Sequence, residues 1–307
     1  MSKHPALLQH FRSFSYQNAI TDLDIALEYF AVFGGTGWEI DTARSVEELI
    51  EEKILHNYES LHDTMTRYTH SNPVYHRLLT LIALGTEHEH DAFKKARIGR
   101  ERGEEAIDYL ETKSLIRFDR PVEAPREGEE ISDRLIFALP FMRFWFAVIS
   151  PHYQSISAGA YREFREKWQQ LKGNFHIALS NLLVRELVTQ RIAASHPDDP
   201  ITAIGSYYDK HTRIEILARR RSGKLIAGEC KYSQKPAQPN MPAILKESCQ
   251  KAGLEITEYL LYSQNGFSLE VEQMSGAEMT LLSGEDLGAL LDELSEADRL
   301  VYKNRKY

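Results

Sequence analysis

A chain of 307 residues, 42% hydrophobic and 27% charged, holds material for two or three globular domains and excludes disordered and collagen-like classes. Its formal charge of −8 excludes broad electrostatic coating of nucleic acid, which needs clustered Lys and Arg. The longest apolar run, Leu135 to Ile149, is broken by Pro140 and Arg143 and falls short of the roughly 20 residues that span a bilayer. Met1–Pro5 carries no leader-like apolar stretch, and Cys230 and Cys249 make no disulfide framework, so a reducing cytoplasm without membrane contact is the expected setting.

Residues 1–70 read as helices joined by short turns, because Thr21-x-x-Asp24 and Ser45-x-x-Glu48 are cap-like starts before apolar-periodic segments. Gly34-Gly35-Thr36-Gly37 follows a helical pattern and lacks the Gly-Lys-Ser/Thr of a nucleotide-binding loop, so it reads as a turn. Residues 71–138 read as three helices and a hairpin: Val74 to Leu84, a second helix capped by Thr86-x-x-Glu89, Arg100 to Lys113, then strands at 114–119 and 133–137. That is the order of a winged helix. Its third helix mixes Arg100 and Arg102 with Glu101, Glu104, Glu105 and Asp108, which favours protein docking at least as much as base reading. Glu87-His88-Glu89-His90-Asp91 resembles a metal site only superficially, since i and i+2 on a helix point apart.

Residues 139–307 open on Phe141, Phe144, Trp145 and Phe146, spaced as core. Helices over 161–170 and 174–192 follow. After His196-Pro-Asp-Asp-Pro200 the apolar period changes from 3.6 to 2, marking a sheet. Charge then segregates along the chain. Between Gly205 and Lys251, ten basic residues against four acids leave +6, while Gly253 to Tyr307 carries −7.

Arg213 to Ala218 and Leu225 to Lys231 read as two strands joined at Arg221-Ser222-Gly223, with Gly223 taking the left-handed position of a short hairpin loop. Pairing about Ser222 sets Ile216 opposite Gly228, Ile214 opposite Cys230 and Arg213 opposite Lys231. It also sets Glu215 opposite Glu229. Two carboxylates facing across a ladder repel, and a divalent cation is the natural occupant between them. Glu215 and Glu229, with the Cys230 carbonyl, suit Mg²⁺ or Mn²⁺, and Lys231 would orient or deprotonate a bound water for attack on a phosphodiester. Arg213, Arg219, Arg220, Arg221 and Lys224 are the candidate contacts to a nucleic-acid backbone.

The stretches Ala203–Asp209, Arg213–Ala218, Leu225–Tyr232 and Tyr259–Ser268 resemble the DUF234 domain. Leu139–Ile149 is similar to that domain's opening segment, Asn72–Arg120 to the winged helix that precedes it, and Ala26–Gly35 to the lid of an ATPase module. The resemblance implies the C-terminal region of an archaeal-type AAA+ ATPase without its P-loop core. It implies an α+β multidomain chain: a helical lid-like segment (1–70), a winged helix (71–138) and a restriction-endonuclease-like, PD-(D/E)XK α/β domain (139–307). It places the family's acidic, acidic and lysine positions on Glu215, Glu229 and Lys231. Phe175-His176 departs from the Phe-Glu of relatives, and Glu186, about 15 Å further along a helix, cannot replace that Glu. The expected function is Mg²⁺-dependent DNA phosphodiester cleavage. The alternative is a non-catalytic regulatory module that docks on protein partners through the winged helix or the acidic tail.

Overall fold

The computed structural model describes residues 6–125 and 131–300. The N-terminal Met1–Pro5 and the tail bases Lys303, Arg305 and Lys306 lie outside the described residues. The chain is mixed α+β, with an N-terminal helical region and a C-terminal five-stranded sheet. It divides into two compact units: Met1–Phe118 with Arg134–Leu179 and Leu294–Tyr307, and Asp119–Asp133 with Ser180–Glu293. These units interleave along the chain.

The first unit begins with α1 (Leu7–Gln17), α2 (Leu23–Phe33), α3 (Val46–Ile50) and α4 (Tyr58–Tyr68). Asp22, rather than Thr21, caps α2 by accepting from the Ile25 amide, whereas Ser45 and Glu48 form the expected capping box on α3. Gly35 and Gly37, at φ of 91° and 71°, make the turn after α2. Next come α5 (Pro73–Ala83), α6 (Glu89–Ala96) and α7 (Arg100–Thr112), followed by a two-stranded sheet of β1 (Ile116–Asp119) and β2 (Arg134–Phe137). His88 occupies the N-cap of α6 and Thr86 instead accepts from Lys95, so the expected Thr86 cap is replaced. In the Glu87–Asp91 run, Glu87 pairs with Arg134. On α7 the mixed charges include an Arg100–Glu104 pair one turn apart.

After α8 (Pro140–Phe144) the chain makes a π-turn at Trp145–Ile149 and continues through α9 (Tyr153–Ser157). Phe144, Trp145 and Phe146 are fully buried, as their spacing requires, and Phe141 nearly so. The two helices expected over 161–192 are one: α10 runs unbroken from Arg162 to Ser195. Gly173 sits within it with open space where a Cβ would lie, so the glycine costs about 1 kcal/mol of helix propensity without breaking the rod. Among the described residues no helix is long and apolar enough to cross a membrane.

The second unit is built on β3 (Ile201–Tyr208), β4 (Arg213–Arg220), β5 (Leu225–Lys231), β6 (Ile256–Ser263) and β7 (Met279–Ser283), lying side by side in that order. The first three strands form an antiparallel meander, and β5, β6 and β7 are parallel. Helix α11 (Asn240–Ala252) makes the crossover from β5 to β6, and α12 (Leu269–Glu272) and α13 (Gly284–Asp292) flank β7. The core of this unit gathers Tyr207, Ile214, Leu217, Ala227, Leu261, and Leu245 and Cys249 of α11. At about 25 cal/mol per Å² of apolar surface, such aliphatic and aromatic burial is what offsets the ordering of the sheet.

A candidate metal and phosphodiester site at a strand fork

The β4–β5 hairpin turns where the sequence places it. Gly223 has φ +88°, and Arg220 and Lys224 close the turn through Arg220 N–H to Lys224 O at 2.9 Å. From there the ladder runs Arg219 opposite Leu225, Ala218 opposite Ile226, Leu217 opposite Ala227 and Ile216 opposite Gly228. Paired residues share the expected register about Ser222. Beyond Ile216 and Gly228 the two strands part. β4 continues against β3, with Ile214 opposite Tyr207 and Arg213 opposite Tyr208, while β5 continues against β6 as far as Lys231 opposite Ser263. The three outermost rungs read from the sequence, Glu215–Glu229, Ile214–Cys230 and Arg213–Lys231, are therefore replaced by an open fork.

A bulge explains the fork. Between Gly205 and Tyr207 of β3 the partner on β4 moves from Leu217 to Ile214, so β4 carries one extra residue at Glu215-Ile216. Ile214 and Leu217, which an unbroken alternation would put on opposite faces, consequently enter the same core cluster. The bulge also frees the Glu215 carbonyl for Arg185 of α10. Arg185 donates to it from Nε at 3.1 Å and Nη2 at 2.7 Å, while Nη1 holds Asp119 at 2.9 Å. Asp119 is itself held by the Ser206 hydroxyl at 3.2 Å.

Glu215 is half-buried, and both carboxylate oxygens have donors. Arg213 Nε lies 2.7 Å from Oε1, and Arg213 Nη2 and Asn181 Nδ2 lie 3.4 and 3.3 Å from Oε2. The Asn181 amide is oriented in turn by the Tyr232 hydroxyl, which donates to its Oδ1 at 2.7 Å. Burial holds the Tyr232 phenol well above its usual range.

Glu229 follows Ala227 by two residues and so projects toward the α11 side of the sheet. Among the described residues it has no cationic partner at ion-pair distance. Burial, then repulsion from Glu215, pushes its carboxyl up to about 7 from an ordinary 4.5, while the nearby Arg213 charge and the Cys230 amide pull it down. Cys230 turns the other way, toward Tyr232 and Arg185, and burial pushes its thiol up to about 12. Lys231 does not close on Glu229. Its Nζ donates instead to the Pro236 carbonyl at 3.1 Å.

The expected backbone contacts also separate. Arg221 and Lys224 are exposed at the hairpin tip, which Asp199 ties down through the Ser222 amide and hydroxyl. Arg219 is paired with Glu123 at 2.7 Å. Arg220 is buried, with Nη2 at 2.7 Å from Glu258, and offers no surface contact, contrary to expectation. Arg213 is engaged by Glu215. Asn181, Arg185, Asp119 and Tyr232 were not singled out by spacing, since they approach the fork only through the tertiary fold. His176 lies in the first unit, where burial lowers its imidazole pKa.

Compared with known families, the segment from the π-turn at Trp145 to the first turn of α11 has a match. Residues 145–244 match the DUF234 family model. DUF234 is described as archaea bacterial proteins of unknown function. The matched segment contains Asn181, Arg185, Arg213, Glu215, Glu229, Cys230 and Lys231, and leaves β6 and β7 outside. No curated protein matches the sequence. Among solved structures, the crystal structure of protein VC1899 from Vibrio cholerae aligns at 13% identity with a TM-score of 0.30, covering 96% of this chain. The chain spans 57% of that protein's length, and a likeness this low fixes neither fold nor activity.

Proposed function

We propose that the second unit is a PD-(D/E)XK-type, Mg²⁺- or Mn²⁺-dependent phosphodiesterase acting on DNA, with α5–α7 and the β1–β2 pair serving as a winged-helix module. The observation that carries this reading is the fork: Glu215 on β4 and Glu229 on β5 follow the last shared rung, Ile216 opposite Gly228, and β5 continues into Lys231. The order of three helices and a two-stranded sheet supports the module assignment.

The donors available at the fork fit such a cation. Two carboxylates and the backbone carbonyl of Cys230 are hard oxygens, and Mg²⁺ takes one or two carboxylates with water and phosphate completing its shell. Among the described residues no three His, Cys, Asp or Glu side chains gather, so water and substrate oxygens would supply the remaining positions. A bound divalent cation would offset charge building on the scissile phosphate. Glu215 and Glu229 would hold it, and Asn181 would fix the Glu215 carboxylate. Lys231, once released from the Pro236 carbonyl, would orient the attacking water or the phosphate. Arg221 and Lys224 are the tip residues free to meet a phosphate backbone.

A second reading draws on the same geometry. Lys231 is turned to Pro236 and Arg213 occupies Glu215, an arrangement that also suits a non-catalytic regulatory module docking on protein through the winged helix or the acidic tail. Plasmid nicking with Mg²⁺ or Mn²⁺ separates them. Cleavage that Lys231→Ala abolishes without lowering the melting temperature supports the enzyme. Equal nicking by both proteins, or none by either, removes it.

A further inference from the structure

Arg213 is two residues before Glu215 on β4 and takes both of its carboxylate oxygens, at 2.7 Å through Nε and 3.4 Å through Nη2. Two differences between the partners decide what this pair does. Glu215 is anchored: its carbonyl is clamped twice by Arg185, its Oε2 also receives Asn181, and its side chain is only 19% exposed. Among the described residues Arg213 is tethered by the Glu215 side chain alone, and half of the Arg213 side chain is in solvent. An exposed guanidinium with one anchor can swing away at little cost, because water replaces what it loses. The fixed carboxylate cannot follow it.

Among the described residues, the other cations near the fork are engaged elsewhere. Lys231 is engaged by Pro236 O at 3.1 Å, and Arg185 is committed to a carbonyl and to Asp119. Arg213 therefore stands where the charge of a divalent ion would stand, on the same two oxygens.

We propose that Arg213 is the resident counter-ion of Glu215 and that a divalent cation enters the fork by displacing it. This rests on the reading of Glu215 and Glu229 as a metal site, and it adds that the chain carries its own competitor for that site. Metal binding is then an exchange. The guanidinium leaves the carboxylate for solvent as the ion arrives, and the net charge on the fork rises by one for each dication that replaces the monovalent Arg213.

Calorimetric titration of the full chain with Mn²⁺ tests the exchange, with wild type, Arg213→Gln, Arg213→Met and Arg213→Lys compared and melting curves confirming that each is folded. Removing the competing charge in Arg213→Gln and Arg213→Met should tighten Mn²⁺ binding by about 1.5- to fivefold, the range set by a partly exposed ion pair. Arg213→Lys should bind as wild type does. Equal or weaker binding by both neutral variants overturns the proposal while leaving the metal site standing. Binding by the neutral variants but not by wild type sustains it and overturns the metal-dependent activity proposed for the native chain. Absence of binding in every protein overturns both.

Discussion

Arg185 grips the backbone carbonyl of Glu215 with two guanidinium nitrogens, at 3.1 and 2.7 Å, and so satisfies that carbonyl at the β4 bulge. The same guanidinium forms a buried ion pair with Asp119, whose side chain is 7% exposed. One side chain therefore stabilises the sheet and fixes the backbone from which Glu215 projects. Arg185→Ala should lower the unfolding free energy by about 3–5 kcal/mol, because it strands a buried carboxylate as well as a carbonyl. Urea denaturation measures this, and a loss below about 1 kcal/mol would mean that the clamp is dispensable.

Glu229 makes the fork sensitive to pH in a direction opposite to that of most paired carboxylates. Its carboxyl is raised to about 7, so the folded state holds the proton more tightly than the unfolded chain. Stability is then full below the unfolded value near 4.5, falls as pH rises from there to about 7, and is lost above it, by at most about 3 kcal/mol. Glu229→Gln should melt higher than wild type at pH 8, and the two should converge toward pH 4.5. A variant that melts lower at pH 8 would show that the carboxylate is compensated there.

The same titration gives a separate expectation for metal. A cation held by Glu229 competes with that proton, so Mn²⁺ affinity should climb steeply between pH 6 and pH 8 and binding below pH 7 should release protons into the buffer. Titrations in buffers of different ionisation enthalpy count those protons. Affinity independent of pH across this range would place the cation elsewhere.

Gly228 forms the last rung before the strands part. A Cβ there would meet the Ile216 Cβ at 3.1 Å and the Leu260 carbonyl at 3.2 Å, so both neighbouring strands would have to yield. Gly228→Ala should cost about 1–3 kcal/mol, read from thermal or urea melting. A neutral outcome would show that the fork already has slack at its base.

The hairpin was legible because its determinants are local: Gly223 fixes the turn, and alternation from Ile216 to Ala218 against Ile226 to Gly228 fixes the register. The DUF234 resemblance was equally legible in the strand motifs around Glu229 and Lys231 and was met by the family match over 145–244. What periodicity could not carry was the extra residue at Glu215-Ile216. An alternating pattern assumes an unbroken ladder, and a bulge satisfied by Arg185 and Asp119, 30 and 96 positions away, leaves no periodic trace. Asn181 and Tyr232 escaped notice for the same reason. The i, i+2 pairing of Arg213 with Glu215, by contrast, was within reach of the sequence, since both project from one short strand. In the helical region, capping chemistry located α3 to the residue but shifted α2 and α6 by one and two positions, because Asp22 and His88 compete for the caps assigned to Thr21 and Thr86.

Arg220 and Arg221 are neighbours in a run of three arginines, and charge patterning treats them alike. The fold does not. Arg220 is 4% exposed and paired with Glu258, whereas Arg221 is exposed at the tip. Arg220→Ala should destabilise the chain by about 3 kcal/mol, since it leaves Glu258 partly buried without its partner. Arg221→Ala should stay within about 0.5 kcal/mol of wild type. If the tip meets a phosphate backbone, Arg221→Ala should weaken oligonucleotide binding similarly across sequences and reduce the salt dependence by about one counter-ion. Fluorescence anisotropy at several salt concentrations reads that slope. An unchanged slope would remove the tip from the interface while leaving the two stability predictions intact, because those depend on burial alone.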